Sequence, residues 1–544
     1  MTMLRHRKLL LAGIASIIMA APVQAQESRA DDGPGRTTTV SPYIEVSQVL
    51  SAELSPGDDV LTFTQVAAGV DINVQGRNSG VSASVRYERN IGYGDAVDTD
   101  TVSGVARGYI AVIPRAVTLE AGALASRTRV DGSGAVSPNP LVSADATSQT
   151  YALYAGPTFN AQAGPVAVSA HARIGYNRFE TDDAVIDENG DPIDVFDDSV
   201  TYSSQVRAAT RAGDPLPVGL AVTAGAYQED ISNLDQRVRD IYVRGDVTVP
   251  VSQSLAIVGG AGYEDVEVSS RDALRDANGD PVIGADGRLV TDTSSPRVLA
   301  FDVDGFLWDV GVLWRPSSRT SLQASIGERY DSTTYYGSFT YVPSERSALS
   351  ISAYDGITGY GGALNNALAG LSDDFTVGRN PVTGDFSGLV SGADGDGNGL
   401  VNTLGSVRSA AFRGRGVNVS YQRRIGRLTA ALGAGYDRRT FIAAQGTALE
   451  AADGITDESY YITGALGRQL GRNASLQTSA YVNWFEAGRA DGDLTAIGAS
   501  AAYNRSLTSR LSARAALAVD YFDSDFSAED FATATALLGL RYDF

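Results

Sequence analysis

The sequence predicts an all-β fold: a single closed, antiparallel, up-and-down transmembrane β-barrel of about 22 strands, within a range of about 20–24. Three observations predict it. Apolar and polar residues alternate strictly over runs of about ten or more positions, longer than the ~5–6 residues usual in soluble sheets. The connections between these runs alternate between short turns and long loops rich in Asp, Gly and Asn. No later segment carries ~18 consecutive apolar residues, so membrane crossing by helices is excluded.

The first 25 residues of the 544 read as an export signal: Arg5, Arg7 and Lys8, an apolar run from Leu9 to Ala21, and the small-x-small site Val23-Gln24-Ala25. With cleavage there, residues 26–40 form a flexible periplasmic linker and 41–544 the barrel. The polar stretch Gln26–Thr39 is too short for a plug domain, which disfavours a TonB-dependent receptor.

The strands follow. Val81, Ala83, Val85 and Tyr87 alternate with Ser82, Ser84, Arg86 and Glu88. Val166, Val168, Ala170, Ala172, Ile174 and Tyr176 alternate with Ser169, His171, Arg173 and Asn177, and Leu511–Tyr521 repeats the pattern. A period of two places one set on each face, so one face meets lipid and the other a wet lumen. In lipid every backbone group needs a partner, so the sheet must close its first strand onto its last. Short turns such as Gly76–Gly80, Pro114–Ala116 and Gly426–Arg427 fall on the side of both termini, the periplasmic rim. The long acidic segments 131–147, 181–196, 271–297, 359–406 and 443–457 fall on the extracellular rim. In Val298–Trp314 the apolar parity switches, which predicts a bulge at Asp304-Gly305. Trp308, Trp314 and Trp484 are candidates for an aromatic girdle. On the last strand Phe544, Tyr542, Leu540 and Leu538 share one face. A terminal Phe on such a strand resembles the signal read by the bacterial barrel-assembly machinery.

Composition excludes much of chemistry. There are no cysteines, Lys8 is the only lysine, and His171 is the only histidine after His6. Thiol chemistry, Cys- or multi-His metal centres and Schiff-base lysines are therefore absent, and no cofactor and no enzyme activity are predicted. The net charge of −21 argues against nucleic-acid binding.

Parity assigns Arg86, Glu88, Arg107, His171, Arg173, Arg207, Arg211, Arg244, Asp246, Arg329, Arg439, Arg514 and Asp520 to the lumen. One reading is a hydrated passage whose guanidinium groups guide an anionic cargo. The other is that charges pair across neighbouring strands and hold the wall rigid. His171, with Ser169 two residues away, lacks the third group of a hydrolytic site and reads as a wall residue. Asp394, Asp396 and Asn398 are candidate ligands of a weakly bound calcium ion. Position twelve of that loop is Gly405 rather than Glu, so turn geometry is the competing reading. The segment 359–406 is too long for a plain connector and carries a short helical stretch at Asn365–Leu371. It either folds into the pore or caps it.

Two regions carry a family resemblance: Ser41-Pro42-Tyr43-Ile44-Glu45-Val46-Ser47-Gln48 at the barrel's start, and Phe375–Phe386 with Ser406–Gly416, which ends in Phe412-Arg413-Gly414-Arg415-Gly416. They resemble outer-membrane β-barrel proteins associated with the PEP-CTERM and exopolysaccharide system of sphingomonads. Members of that family carry cysteines in the long loop, which this chain lacks. The resemblance implies a role in surface-polysaccharide production or export, with polysaccharide-export components as partners, and transfers no catalytic residue. The expectation is an integral outer-membrane pore that passes a polymer or solute passively through a loop-gated lumen, with an exopolysaccharide as cargo. The alternatives are a general or substrate-specific uptake porin and a surface-structural barrel with a plugged lumen.

Overall fold

Inter-strand hydrogen bonding in the computed structural model closes a 22-stranded antiparallel barrel. The structure describes residues 37–544 apart from 95, 97, 131–135, 138–146, 182–193, 345, 385, 393–396, 400–405, 489–491 and 526–529. The export signal therefore lies outside the described residues. So do Asp394, Asp396 and the Asn398 side chain, the proposed calcium ligands.

The strands, in chain order, begin with β1 (Thr37–Ser55), β2 (Val60–Gln75), β3 (Ser79–Tyr93), β4 (Thr99–Ile113), β5 (Val117–Val130), β6 (Thr147–Ala163) and β7 (Val166–Thr181). They continue with β8 (Asp198–Thr210), β9 (Gly219–Ile231), β10 (Gln236–Pro250), β11 (Leu255–Ser270), β12 (Val298–Ser317), β13 (Thr320–Arg329), β14 (Ser332–Ser344) and β15 (Ser347–Thr358). After a long insertion come β16 (Phe412–Ile425), β17 (Leu428–Phe441), β18 (Thr456–Gln469), β19 (Ala474–Glu486), β20 (Leu494–Ser506), β21 (Leu511–Ser524) and β22 (Phe531–Asp543). Each pairs with its sequence neighbours, and β1 closes on β22 from Tyr43↔Asp543 to Ser55↔Ala532.

Alternation decides the faces. Val222, Phe306, Leu517 and Leu538 point outward and are 59%, 67%, 65% and 68% exposed. A soluble protein would not leave such a continuous apolar belt in water; here it is the lipid-facing band. Trp308, Trp314 and Trp484 share this outer face, and Trp308 Nε1 donates to Glu328 Oε2 at 3.0 Å. The chain is thus an outer-membrane β-barrel.

The β11–β12 register runs without interruption through Asp265↔Asp304 and Glu264↔Gly305, so the predicted bulge at Asp304-Gly305 is absent. The register shift lies nearer the extracellular rim, between Val268↔Phe301 and Ser269↔Leu299. The parity switch has another cause. Beyond the bilayer the outer face turns polar, at Asp302 and Asp304, while the inward Phe301 packs against a core cluster that includes Val266 and Val268. Not every extracellular connection is long: β13 and β14 are joined by Tyr330-Asp331, both with positive φ, in a two-residue hairpin turn. The long insertion runs over 359–411, five residues past its predicted end, because Phe412 is the first residue paired to β15.

Candidate functional site

The interior is shaped by the 359–411 insertion, which folds inward. Its helix α1 (Tyr360–Ala369) lies against the inner wall of β5–β9. The helix starts five residues before the stretch read from the sequence. Tyr360-Gly361-Gly362 is a poor helix start on propensity, and the wall supplies what the local sequence lacks. Gly359, at the N-cap, has no side chain to satisfy the first N–H groups. The buried Glu229 of β9 accepts from the N–H of Gly359 at 2.7 Å and of Gly362 at 2.9 Å, and from Tyr227 Oη at 2.8 Å. A Cβ on Gly361 or Gly362 would collide with the Ser199 and Tyr227 side chains, so the glycines permit this close approach.

Past its first turn α1 is held mainly by apolar burial. Leu364, Leu368 and Leu371 join Leu124, Ala152 and Phe179 of the wall in one buried cluster. The Tyr360 ring lies 5.1 Å from that of Phe196, and Asn365 Nδ2 donates to Thr201 Oγ1 at 2.9 Å. The far end of the insertion is also tied down. Gln236 of β10 donates to the Ser409 carbonyl at 3.0 Å and accepts from the Ala411 N–H at 3.1 Å. Asp194 accepts from the Ser409 hydroxyl, from the Leu289 N–H at 3.1 Å and from Asn233 Nδ2 at 3.1 Å.

Beyond α1 the chain descends through the lumen to the periplasmic ends of β2 and β3. There Asn73 Nδ2 donates to Asp374 Oδ1 at 2.5 Å, while Gln75 and Ser82 donate to the Asp373 carbonyl at 3.1 and 2.8 Å. Arg379 donates to Ser84 Oγ at 3.0 Å and Ser103 Oγ at 2.9 Å. A turn follows in which Asn380 Oδ1 accepts from the Val382 N–H at 2.9 Å. Val382 enters an apolar nook made by Val49, Phe63, Ala516 and Leu537 of β1, β2, β21 and β22, and Arg514 donates to the Pro381 carbonyl. Because β1 closes on β22, these strands adjoin β2–β4, and the insertion lies along one continuous stretch of wall. Among its described residues it is apolar at the root and mainly hydrogen-bonded at the tip.

The lumenal charges assigned by parity point inward, apart from Arg211, which lies in the periplasmic β8–β9 turn, where its carbonyl accepts from the Asp214 N–H at 3.2 Å. Its parity continues past the end of β8, so alternation alone could not separate it from the wall. The others are mostly paired. Arg86 lies 2.9 Å from Glu45 and 3.1 Å from Glu88, and Glu45 also meets Arg514 at 3.5 Å. Arg107 and Arg173 converge on Glu120 at 3.2 and 2.7 Å. Arg207 and Arg244 share Asp246 at 3.1 and 2.5 Å, and Arg244 also reaches Asp309 at 2.7 Å. Arg329 bridges Asp240 at 2.7 Å and Glu264 at 2.8 Å, and Arg439 holds Asp437 at 2.7 Å. Asp520 accepts from Tyr481 Oη at 2.8 Å. His171 sits opposite Thr158 and Gln205 on the flanking strands, beside Arg173 and Glu120. The arginines are therefore one half of a cross-strand ion-pair lattice, which stiffens the wall.

The insertion leaves one side open. A cavity of about 940 Å³ runs between its Thr376–Pro381 segment and the periplasmic half of β17–β21. The inward residues there include Thr429, Gln469, Ser475, Gln477, Ser479 and Asn504, a run of uncharged hydroxyl and amide groups, and the cavity is bounded elsewhere by the charged Glu45, Asp71, Arg379, Arg514, Arg541 and Asp543. The uncharged run carries no charge signal, although the same alternation places it inward.

No family model matches the chain, and no curated protein matches it. Among solved structures it resembles the FrpB iron transporter from Neisseria meningitidis (F5-1 variant) at 11% identity and a TM-score of 0.43, covering 92% of this chain and 82% of that one. The ferric-catecholate import receptor Fiu from E. coli K12 in its closed form gives 11% identity, coverage of 92% and 81%, and a TM-score of 0.44. The siderophore receptor PirA from Acinetobacter baumannii gives 9%, 93% and 81%, and 0.42. The likeness is confined to the barrel fold.

Proposed function

We propose that this barrel is a gated outer-membrane pore for uncharged polar cargo, with saccharide chains of a surface polysaccharide as the cargo class and the tip of the 359–411 insertion as the gate. The observation that carries the reading is the contrast between the two lumenal faces. The charged face is neutralised largely by its own ion pairs, and the insertion lies over part of it, around Arg86 and Arg107. The open cavity adds a run of hydroxyl and amide groups, which exchange hydrogen bonds with sugar hydroxyls as readily as with water. Transport is passive: the wall supplies no energy, and the cargo replaces one set of hydrogen bonds by an equivalent one.

The root and tip of the insertion divide the work. Apolar burial around Leu364 and Leu368 keeps the root on the wall. The polar contacts of Asp373, Asp374 and Arg379 exchange for water at a net cost of about 0.5–1.5 kcal/mol each, and withdrawing Val382 from its nook adds about 1.5–3 kcal/mol, so the tip swings without unfolding the root. The resemblance to exopolysaccharide-associated barrels supports export as the direction.

The test is single-channel conductance in planar bilayers, with liposome swelling in neutral oligosaccharides. The intact chain should conduct weakly. Replacing 372–405 by a short Gly-Ser linker should raise conductance severalfold and admit neutral oligosaccharides. Conductance already high and unaltered by the deletion would remove the gate. An open variant that passes small anions but excludes neutral sugars would remove the cargo class.

A further inference from the structure

The outer wall carries a second feature that transport does not use. Near the periplasmic rim a cleft of about 630 Å³ opens between the end of β14, the start of β15 and the end of β16. Its floor is a cross-strand row of outward side chains, Tyr341↔Leu349↔Tyr421, continuous with the lipid-facing band. The next row toward the periplasm is Ser344↔Ser347↔Arg423. Between the two rows the β14–β15 register slips at Val342-Pro343, and such an irregularity bends a strand out of line. The β14–β15 turn then returns over the cleft, where the Arg424 N–H donates to the Arg346 carbonyl at 2.7 Å.

Three arginines line the cleft, Arg346, Arg423 and Arg424. Arg423 leaves β16 on the outer face, whereas Arg424 stands opposite the inward Thr429. Among the described residues none has a carboxylate partner, in contrast to the paired arginines of the lumen. The cleft therefore offers cationic forks above, two tyrosines beside them and an apolar floor leading toward the bilayer centre. Its depth is that of the inner-leaflet headgroups.

We propose that this cleft binds an anionic phospholipid of the inner leaflet, with its phosphodiester against Arg346 and Arg423 and an acyl chain along Leu349 and Tyr421. Guanidinium pairs with phosphate in bidentate fashion. Desolvation by the adjoining chains strengthens each contact, and tyrosine suits the boundary between headgroup and hydrocarbon. A zwitterionic lipid carries its own ammonium group and competes poorly. The site is independent of what crosses the lumen.

The experiment is native mass spectrometry of the full chain in detergent, titrated separately with phosphatidylglycerol, phosphatidylethanolamine and inorganic phosphate. The expected result is a saturable phosphatidylglycerol adduct, and its loss by roughly tenfold or more in the variant R346Q/R423Q. The variant R77Q/R115Q/R510Q, which removes three arginines elsewhere on the same rim, should keep it. Heat-modifiable migration on SDS gels verifies that both fold. Should the first variant fail to assemble, Arg423→Gln alone should still lower the adduct severalfold. Equal binding of phosphatidylethanolamine, equal loss in both variants, or saturation by inorganic phosphate alone would each overturn the proposal.

Discussion

Glu229 accepts the backbone N–H of Gly359 at 2.7 Å, so a carboxylate of the barrel wall caps a helix whose N-cap residue lies 130 residues later. The same side chain takes the Gly362 N–H at 2.9 Å. It serves as the acceptor that the chain before α1 does not provide and as a negative charge at the helix's positive end.

Replacing Glu229 by Gln should loosen the root of the insertion. An amide keeps one acceptor and turns a donor toward groups that themselves donate, at a cost of about 1–3 kcal/mol. The expected outcome is faster proteolytic nicking within 359–411 and a higher open probability in single-channel records, with the barrel still resistant to SDS at room temperature. Unchanged nicking and gating would show that the apolar contacts of Leu364 and Leu368 hold the root unaided.

The lumenal ion pairs make ion selectivity a test of the wall. Arg173, Arg207 and Arg244 each face a carboxylate, and Asp246 loses both its partners when the three are replaced by Gln. Three positive charges leave the passage while the acidic ones stay. Cation over anion permeability should rise a fewfold, read from reversal potentials in asymmetric salt. The arginines are partly exposed but Asp246 is buried, so stranding it costs about 3–5 kcal/mol, and heat-modifiable migration on SDS gels should verify that the barrel still assembles. Identical reversal potentials would mean that ions pass elsewhere.

Asp194 ties the extracellular loops to the insertion's end through Ser409, Leu289 and Asn233. Burial pushes its carboxyl up, outweighing those hydrogen bonds and the nearby Arg288. A carboxyl whose folded value exceeds the unfolded ~3.9 contributes stability fully below that value and loses it as pH rises through the folded value. Asp272 acts in the opposite sense. Burial is outweighed there by Arg275 and by the N–H groups of Ala448 and Ala273, which hold the carboxyl low, so its contribution fades as pH falls below about 3.9. Proteolysis around 406–411 should therefore quicken as pH is raised from about 4 to about 7. In Asp194→Asn that trend should flatten. A trend of the opposite sign in the intact chain would refute the assignment.

The barrel was legible because lipid imposes a rule on every strand. Val81 and Arg86, or Leu517 and Asp520, cannot exchange faces without placing a charge in hydrocarbon, so period two records inside and outside directly. Register near the rims was less legible. Phe301 and Phe306 are both apolar but face opposite sides, and only the packed interior behind Phe301 separates a bulge from a change of surroundings.

Alternation, loop length and the closing need of an open sheet determined the strand number, the two rims and the inward set of charges. The tertiary structure alone decided what those charges do and where the insertion goes. An arginine's partner stands on another strand, as Glu45 does for Arg86, and the first turn of α1 takes its cap from Glu229 on the wall it packs against. Local sequence encodes periodicity, whereas hydrogen bonds and ion pairs depend on distances that exist only once the sheet has closed.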